Sequence, residues 1–157
     1  MKKILIFAIG ILFAFGMQAQ NVTDEVALVQ DIYGMGKKQL ITDFMKLTDA
    51  ESASFWKIYD EYEVTRKDIG MDRANNLFEY AKNYKGLTND KATQMVNASL
   101  AFNSDFIKLQ KKTFKKMAKA ITPVRAAQFF QAEMYLENII RGEIGEEIPF
   151  IGEVKKK

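Results

Sequence analysis

Three segments of the chain repeat one helix-starting pattern, and the stretches between them hold few residues that end a helix. Leu47-Thr48-Asp49-Ala50-Glu51, Leu87-Thr88-Asn89-Asp90-Lys91 and Ile121-Thr122-Pro123-Val124-Arg125 each place a branched aliphatic residue before a threonine. Small residues follow, then a polar one, then two large apolar ones: Phe55-Trp56, Met95-Val96 and Phe129-Phe130. A threonine N-cap accepts a hydrogen bond from an amide that the helix leaves unpaired, so Thr48, Thr88 and Thr122 are the predicted caps. Glu51 stands where a capping box requires it, and Pro123 falls at the first helical position, where its missing N–H costs nothing. With two prolines and nine glycines in 157 residues, turns are few. The predicted fold class is therefore all-α, with helices near 24–46, 49–84, 88–120 and 122–141. Spacings of 40 and 34 residues between the threonines are too irregular for a solenoid.

Helices two and three each exceed 30 residues, or roughly 45 Å at 1.5 Å per residue. Joined by the short turn Tyr84-Lys85-Gly86-Leu87, they are expected to form a long antiparallel hairpin with the other two helices flanking it, in an extended or cradle-like body. Uncovered faces on so long a hairpin also make a homodimer an expectation. Each glycine inside a helix costs about 1 kcal/mol. Tyr33-Gly34-Met35-Gly36 is thus a candidate break in the first helix, and Gly70 a candidate kink in the second.

The N-terminus has the three-part layout of an export signal. Lys2 and Lys3 precede an apolar run, and Gly16-Met17-Gln18-Ala19 stands before Gln20. The run from Ile4 to Met17 is 14 residues, short of the roughly 20 a membrane-spanning helix needs. The expected division is a signal peptide over 1–19, a helical domain over 20–141 and a C-terminal tail over 142–157, with the mature protein periplasmic or secreted. Losing Lys2 and Lys3 reduces 23 basic residues to 21 against 20 acids, so a net charge of +3 becomes +1. That balance, outside the cytoplasm, gives no reason to expect a nucleic-acid partner. The tail segment Glu147-Ile148-Pro149-Phe150-Ile151-Gly152 is apolar, and is expected to dock on the bundle rather than wait for a partner.

The chain has no cysteine and no histidine. Disulfides, thiol nucleophiles, imidazole bases and the usual zinc and haem ligands are absent with them. No GxSxG, P-loop or GxGxxG is present, and the serines have no histidine or convincing lysine partner. The pairs Asp60-Glu61 and Glu146-Glu147 point neighbours in diverging directions rather than across a cleft. The methionines are scattered rather than gathered into a soft-metal set. No catalytic residue, cofactor or metal is expected, and the chain reads as non-enzymatic.

Two patterns remain. Lys108, Lys111, Lys112, Lys115, Lys116 and Lys119 fall within roughly 140° of the third helix, while Phe106, Ile107, Leu109, Phe114, Met117 and Ala118 occupy the other side. The lysines form either a strip for acidic clients, anionic lipid or a partner protein, or a solvated face laced to Asp60, Glu61 and Glu63 across the hairpin. Phe55, Trp56, Tyr59 and Tyr62 form the densest aromatic patch, at the spacing of a core seam; a ligand-stacking box is the alternative reading.

An exported helical chain with leucine-threonine helix starts resembles the Spy/CpxP family of small periplasmic proteins, whose signature is Leu-Thr-x-x-Gln. Glu51, Lys91 and Arg125 stand where that signature has glutamine. Leu47 to Tyr62 also resembles exported helical proteins of Bacteroidota-type bacteria, which carry Leu-Thr-Asp/Glu-Ala-Glu followed by Phe-Trp-x-x-Tyr and are labelled sensors of extracytoplasmic-function sigma factors. The first resemblance implies ATP-independent binding of unfolded envelope proteins, or a part in the envelope stress response. The second implies an accessory module docking on a membrane-bound regulator. Both imply protein partners, and membrane-surface binding through the lysines stays open beside them.

Overall fold

The fold is described from a computed structural model over residues 19–151. It consists of α1 (Ala19–Met45), α2 (Asp49–Asn83), a 3-10 turn (Tyr84–Gly86), α3 (Asn89–Ala120) and α4 (Pro123–Glu147). There is no strand among the described residues, and the protein is all-α. The expected export signal lies outside the described residues apart from Ala19, where α1 begins.

Each predicted threonine is an N-cap. Thr88 Oγ1 accepts from the backbone N–H of Lys91, and Thr122 Oγ1 from that of Arg125. At Thr48 both the backbone N–H and the hydroxyl donate to Glu51 Oε2, each at 3.0 Å. Pro123 takes the first position of α4.

Connections this short make consecutive helices antiparallel neighbours. The α2–α3 hairpin forms as expected, tied near its turn by Lys91 to Glu79 and farther along by Lys116 to Glu61. The helices α1 and α4 flank it and also meet each other, Arg125 Nη2 donating to the Lys46 carbonyl where α1 ends. The result is an up-down-up-down arrangement in which α1 and α4 pack with the hairpin around a shared core. The body is still long: the 35 residues of α2 span about 52 Å.

The core gathers the predicted aromatic seam. Phe55, Tyr59 and Tyr62 are buried with Ile41, Met45, Met117, Ala126 and Phe129, while Trp56 is half-buried against them. Phe129 presents edge-on contacts to Phe55 at 5.5 Å and to Tyr62 at 5.9 Å between ring centroids. Such pairs add about 0.5–1.5 kcal/mol each beyond the area they bury. Phe55, Tyr59 and Tyr62 recur along one face of α2, as a core seam requires.

The expected break in the first helix is corrected. The α1 helix runs unbroken through Gly34 and Gly36, and α2 through Gly70. Gly70 serves close packing: an added Cβ would lie 2.9 Å from Gln30 Nε2, the group that donates to the Lys67 carbonyl and fastens α1 to α2. The penalty of one or two glycines is smaller than what tertiary packing returns over a long helix. For the same reason α4 continues past 141, through Gly142 and Gly145 to Glu147, and the tail starts later than the expected 142. The Pro149 carbonyl accepts from the Tyr80 hydroxyl at 2.8 Å, which docks the start of that tail on α2.

An unbroken α1 has a measurable consequence. Gly36 is exposed with open space around its Cα, so Gly36→Ala should stabilise the protein by about 0.5–1 kcal/mol, raising Tm by about 2 °C. A lower Tm in a thermal melt would mean that the chain is not helical there.

Candidate functional site: a sealed charge cluster and a lysine face

The apolar stripes of α1, α2 and α4 are each interrupted by a charged residue on the buried face. Lys37 precedes Ile41 and Met45 at four-residue steps, Glu63 and Arg66 continue the Tyr59–Tyr62 seam, and Glu133 follows Phe129. Helical periodicity therefore carries all four charges inside. Lys37 Nζ lies 2.6 Å from Glu63 Oε1 and 2.6–2.7 Å from both oxygens of Glu133, with its side chain fully buried. Arg66 Nε donates to both oxygens of Glu63, and the Tyr62 hydroxyl donates to Glu133 Oε1 at 2.7 Å. The Lys37 ammonium also faces the Tyr62 and Tyr59 rings at 5.4 and 5.8 Å, and Arg66 faces Tyr33 at 5.5 Å.

The cluster balances two cations against two carboxylates, which is the condition for burying any of them. Burial alone would raise the Glu63 carboxyl, yet Lys37 and Arg66 outweigh it and hold it below the usual range. Burial and the Glu133 charge push the Tyr62 hydroxyl well above its ordinary value. Burial works against the Arg66 charge too, but Glu63 raises it above the normal guanidinium value. Glu63 and Arg66 are thereby held in their charged forms. The Tyr59 hydroxyl and Arg66 Nη2 are buried without a hydrogen-bond partner among the described residues.

Chemically the cluster is closed. Two surface depressions border the bundle, and of the cluster's members Tyr62 alone contributes to the lining of one, the second. One lies along Ala92, Thr93, Val96 and Asn97; the other, of about 180 Å³, lies between Ile58, Glu61 and Thr65 on α2 and Leu109, Lys112 and Lys116 on α3. Neither is lined by Lys37, Glu63 or Glu133. Among the described residues no group of acidic side chains is placed to hold a metal ion, and no helix is long and apolar enough to cross a membrane.

The predicted lysines lie on α3, exposed, but their expected pairing is largely revised. Glu63 turns inward to Lys37 and Arg66, and Asp60 pairs with Lys38 of α1. Of these three acids Glu61 alone reaches α3, where it meets Lys116. The Lys116 bond holds the Glu61 carboxyl below its usual range. Lys108 pairs with Asp105 on its own helix. Lys111, Lys112, Lys115 and Lys119 make no ion pair among the described residues.

An exposed apolar stripe borders these lysines, and the sequence reading did not isolate it. Val96, Leu100, Ile107 and Phe114 are 58, 61, 49 and 38% exposed, and their spacing sets them on one side of α3. This side runs along α4, where Phe114 contacts Phe130 at 5.9 Å and Asn103 accepts from Arg141. Met134, exposed on α4 between those contacts, extends the stripe.

Glu51, Lys91 and Arg125 all make ion pairs between elements. Arg125 Nε and Nη2 donate to the two oxygens of Glu51 at 3.0 and 3.1 Å, joining the starts of α4 and α2, and Lys91 pairs with Glu79. No family model, curated protein or solved structure matches the chain.

Two outcomes follow from these charges. Lys37→Met strands two buried carboxylates beside one cation, and should cost about 3–5 kcal/mol in urea unfolding. Adding Glu133→Gln restores the balance and should recover part of that loss; a double variant no better than the single would contradict the pairing. At the helix starts, the bonds from Arg125 and from the Thr48 amide hold the Glu51 carboxyl down to about 2, below an ordinary 4.5. Its contribution is thus present above pH 4.5 and lost as pH falls toward 2. Glu51→Gln should lower stability at neutral pH and flatten its decline across that acid window, as followed by thermal melts.

Proposed function

We propose that the protein is a non-enzymatic, exported helical protein that binds partly unfolded envelope proteins, in the manner of the Spy/CpxP group it resembles. One observation carries the reading: an exposed apolar stripe, Val96, Leu100, Ile107 and Phe114, runs beside lysines that make no ion pair among the described residues, Lys111, Lys115 and Lys119. Exposed apolar residues scattered singly need no explanation, but a stripe along a helix marks an interaction surface. Lysines beside it draw acidic chains in from a distance, and the apolar groups then supply short-range contact. Such binding is weak and fast and needs no nucleotide.

The closed core sets where this contact occurs. Phe55, Tyr59, Tyr62 and Phe129 are consumed by packing, so a client meets the outer side of α3 rather than an aromatic hollow. Lys111 and Lys115 are its nearest cationic neighbours on that helix, while Lys116 is taken up by Glu61.

The test is light scattering from an aggregating, acidic client with the protein in several-fold excess. The expected result is suppressed scattering that weakens in Leu100→Ser/Ile107→Ser while the far-UV circular dichroism is unchanged. Undiminished scattering with the unaltered protein would sink the chaperone reading. Crosslinking in intact cells that captured a single saturable partner would favour a module docking on a membrane-bound regulator instead.

A further inference from the structure

Charge is segregated by helix. The α3 helix carries seven lysines against two aspartates. In the other three helices acids outnumber bases: four to two in α1, eight to five in α2 and five to two in α4. This sorting is not needed for folding, because the buried cluster balances itself and the cross-helix pairs use only Lys116 and Lys91 from α3. One long side of the bundle is therefore positive, and the remaining helices are negative.

The positive side is also the side with the exposed apolar stripe. Lys111 follows Ile107 by four residues and Lys115 follows Lys111 by four, so lysines and apolar groups share one sector of α3. The part of α4 bordering that sector presents Met134, Gln131 and Asn138, all exposed and none acidic. Both α3 acids are weak opposition: Asp105 is engaged by Lys108, and Asp90 lies in the first turn, far from the lysines.

We infer that α3 is a peripheral docking surface for an anionic lipid bilayer, lying lengthwise in the plane of the head groups. Lys111, Lys112, Lys115 and Lys119 would meet lipid phosphates, and Leu100, Ile107 and Phe114 would enter the head-group boundary. An amphipathic helix binds such an interface when a cationic polar face adjoins an apolar one, and each lysine near the surface adds to the attraction. The net-negative helices set orientation, since a bilayer of the same sign repels them and leaves α3 as the side that approaches. The α3 helix is already folded against α2 and α4, so no ordering cost accompanies binding. The inference stands apart from client binding, because a bilayer offers phosphates in a plane rather than an acidic chain. A negative scattering assay leaves it untouched.

The experiment is co-sedimentation of residues 20–157 with vesicles of phosphatidylglycerol and phosphatidylcholine, and with phosphatidylcholine alone. We expect retention by the anionic vesicles at low salt, release at high salt, and none by the neutral ones. Lys111→Gln/Lys115→Gln/Lys119→Gln should reduce binding at least about tenfold. Lys57→Gln/Lys82→Gln/Lys85→Gln, which removes the same charge from outside α3, should leave most of it. Leu100→Ser/Ile107→Ser should weaken retention without changing its salt sensitivity. Emission from Trp56, the single tryptophan, reports that each variant keeps its core. Three results would overturn the inference: equal retention by neutral vesicles, equal loss in the two lysine triples, or full release by soluble polyglutamate at matched ionic strength.

Discussion

The fold depends on one buried ammonium. Lys37 enters the core from α1 and is gripped by a carboxylate from α2 and another from α4. A lysine is tolerated there only if both acids arrive at the same height, because an unpaired charge at that depth costs several kcal/mol. Apolar contacts between long helices permit neighbouring registers of similar energy. A charge triad with bonds of 2.6–2.7 Å does not. With Arg66 completing Glu63 and Tyr62 completing Glu133, three helices are fixed in relation to one another, and α3 follows through its hairpin turn with α2.

A second restraint acts at one end of the bundle. The helix starts at Thr48 and Thr122 come together, and Arg125 binds Glu51, its own neighbour Gln128 and the carbonyl that terminates α1. A chain without cysteine thus gains a crosslink of charged hydrogen bonds where three helices end or begin.

The caps, the hairpin and the Phe55–Tyr62 seam were legible in the sequence because each is local: a threonine before a helix, a short turn, a four-residue repeat. The buried cluster was not, since a charged residue is by default assigned to solvent and burial depends on partners far away in the chain. Glu63 was matched to lysines across the hairpin when its real partner lies 26 positions earlier. A signal did exist: Lys37, Glu63, Arg66 and Glu133 each fall in phase with an apolar stripe, and four charges of balancing sign in phase are a pattern that can be sought. The glycines misled in the opposite direction, because propensity marks Gly34 and Gly36 as a break while tertiary packing along α1 keeps the helix continuous. The lysine face was legible as a face, but which of its lysines make no ion pair among the described residues was not, since that required knowing where Asp60 and Glu63 turn.

With charges of both signs engaged inside, the outer side of α3 keeps lysines in surplus, and the proposed client and bilayer contacts both draw on it. Everything rests on the bundle closing in the register that Lys37 sets. Side-chain ¹⁵N–¹H NMR of the Lys37 ammonium at neutral pH tests this most directly. The account predicts a slowly exchanging resonance with nuclear Overhauser contacts to the Tyr59 and Tyr62 rings. An ammonium exchanging as fast as those of the surface lysines, with no contact to either ring, would contradict it.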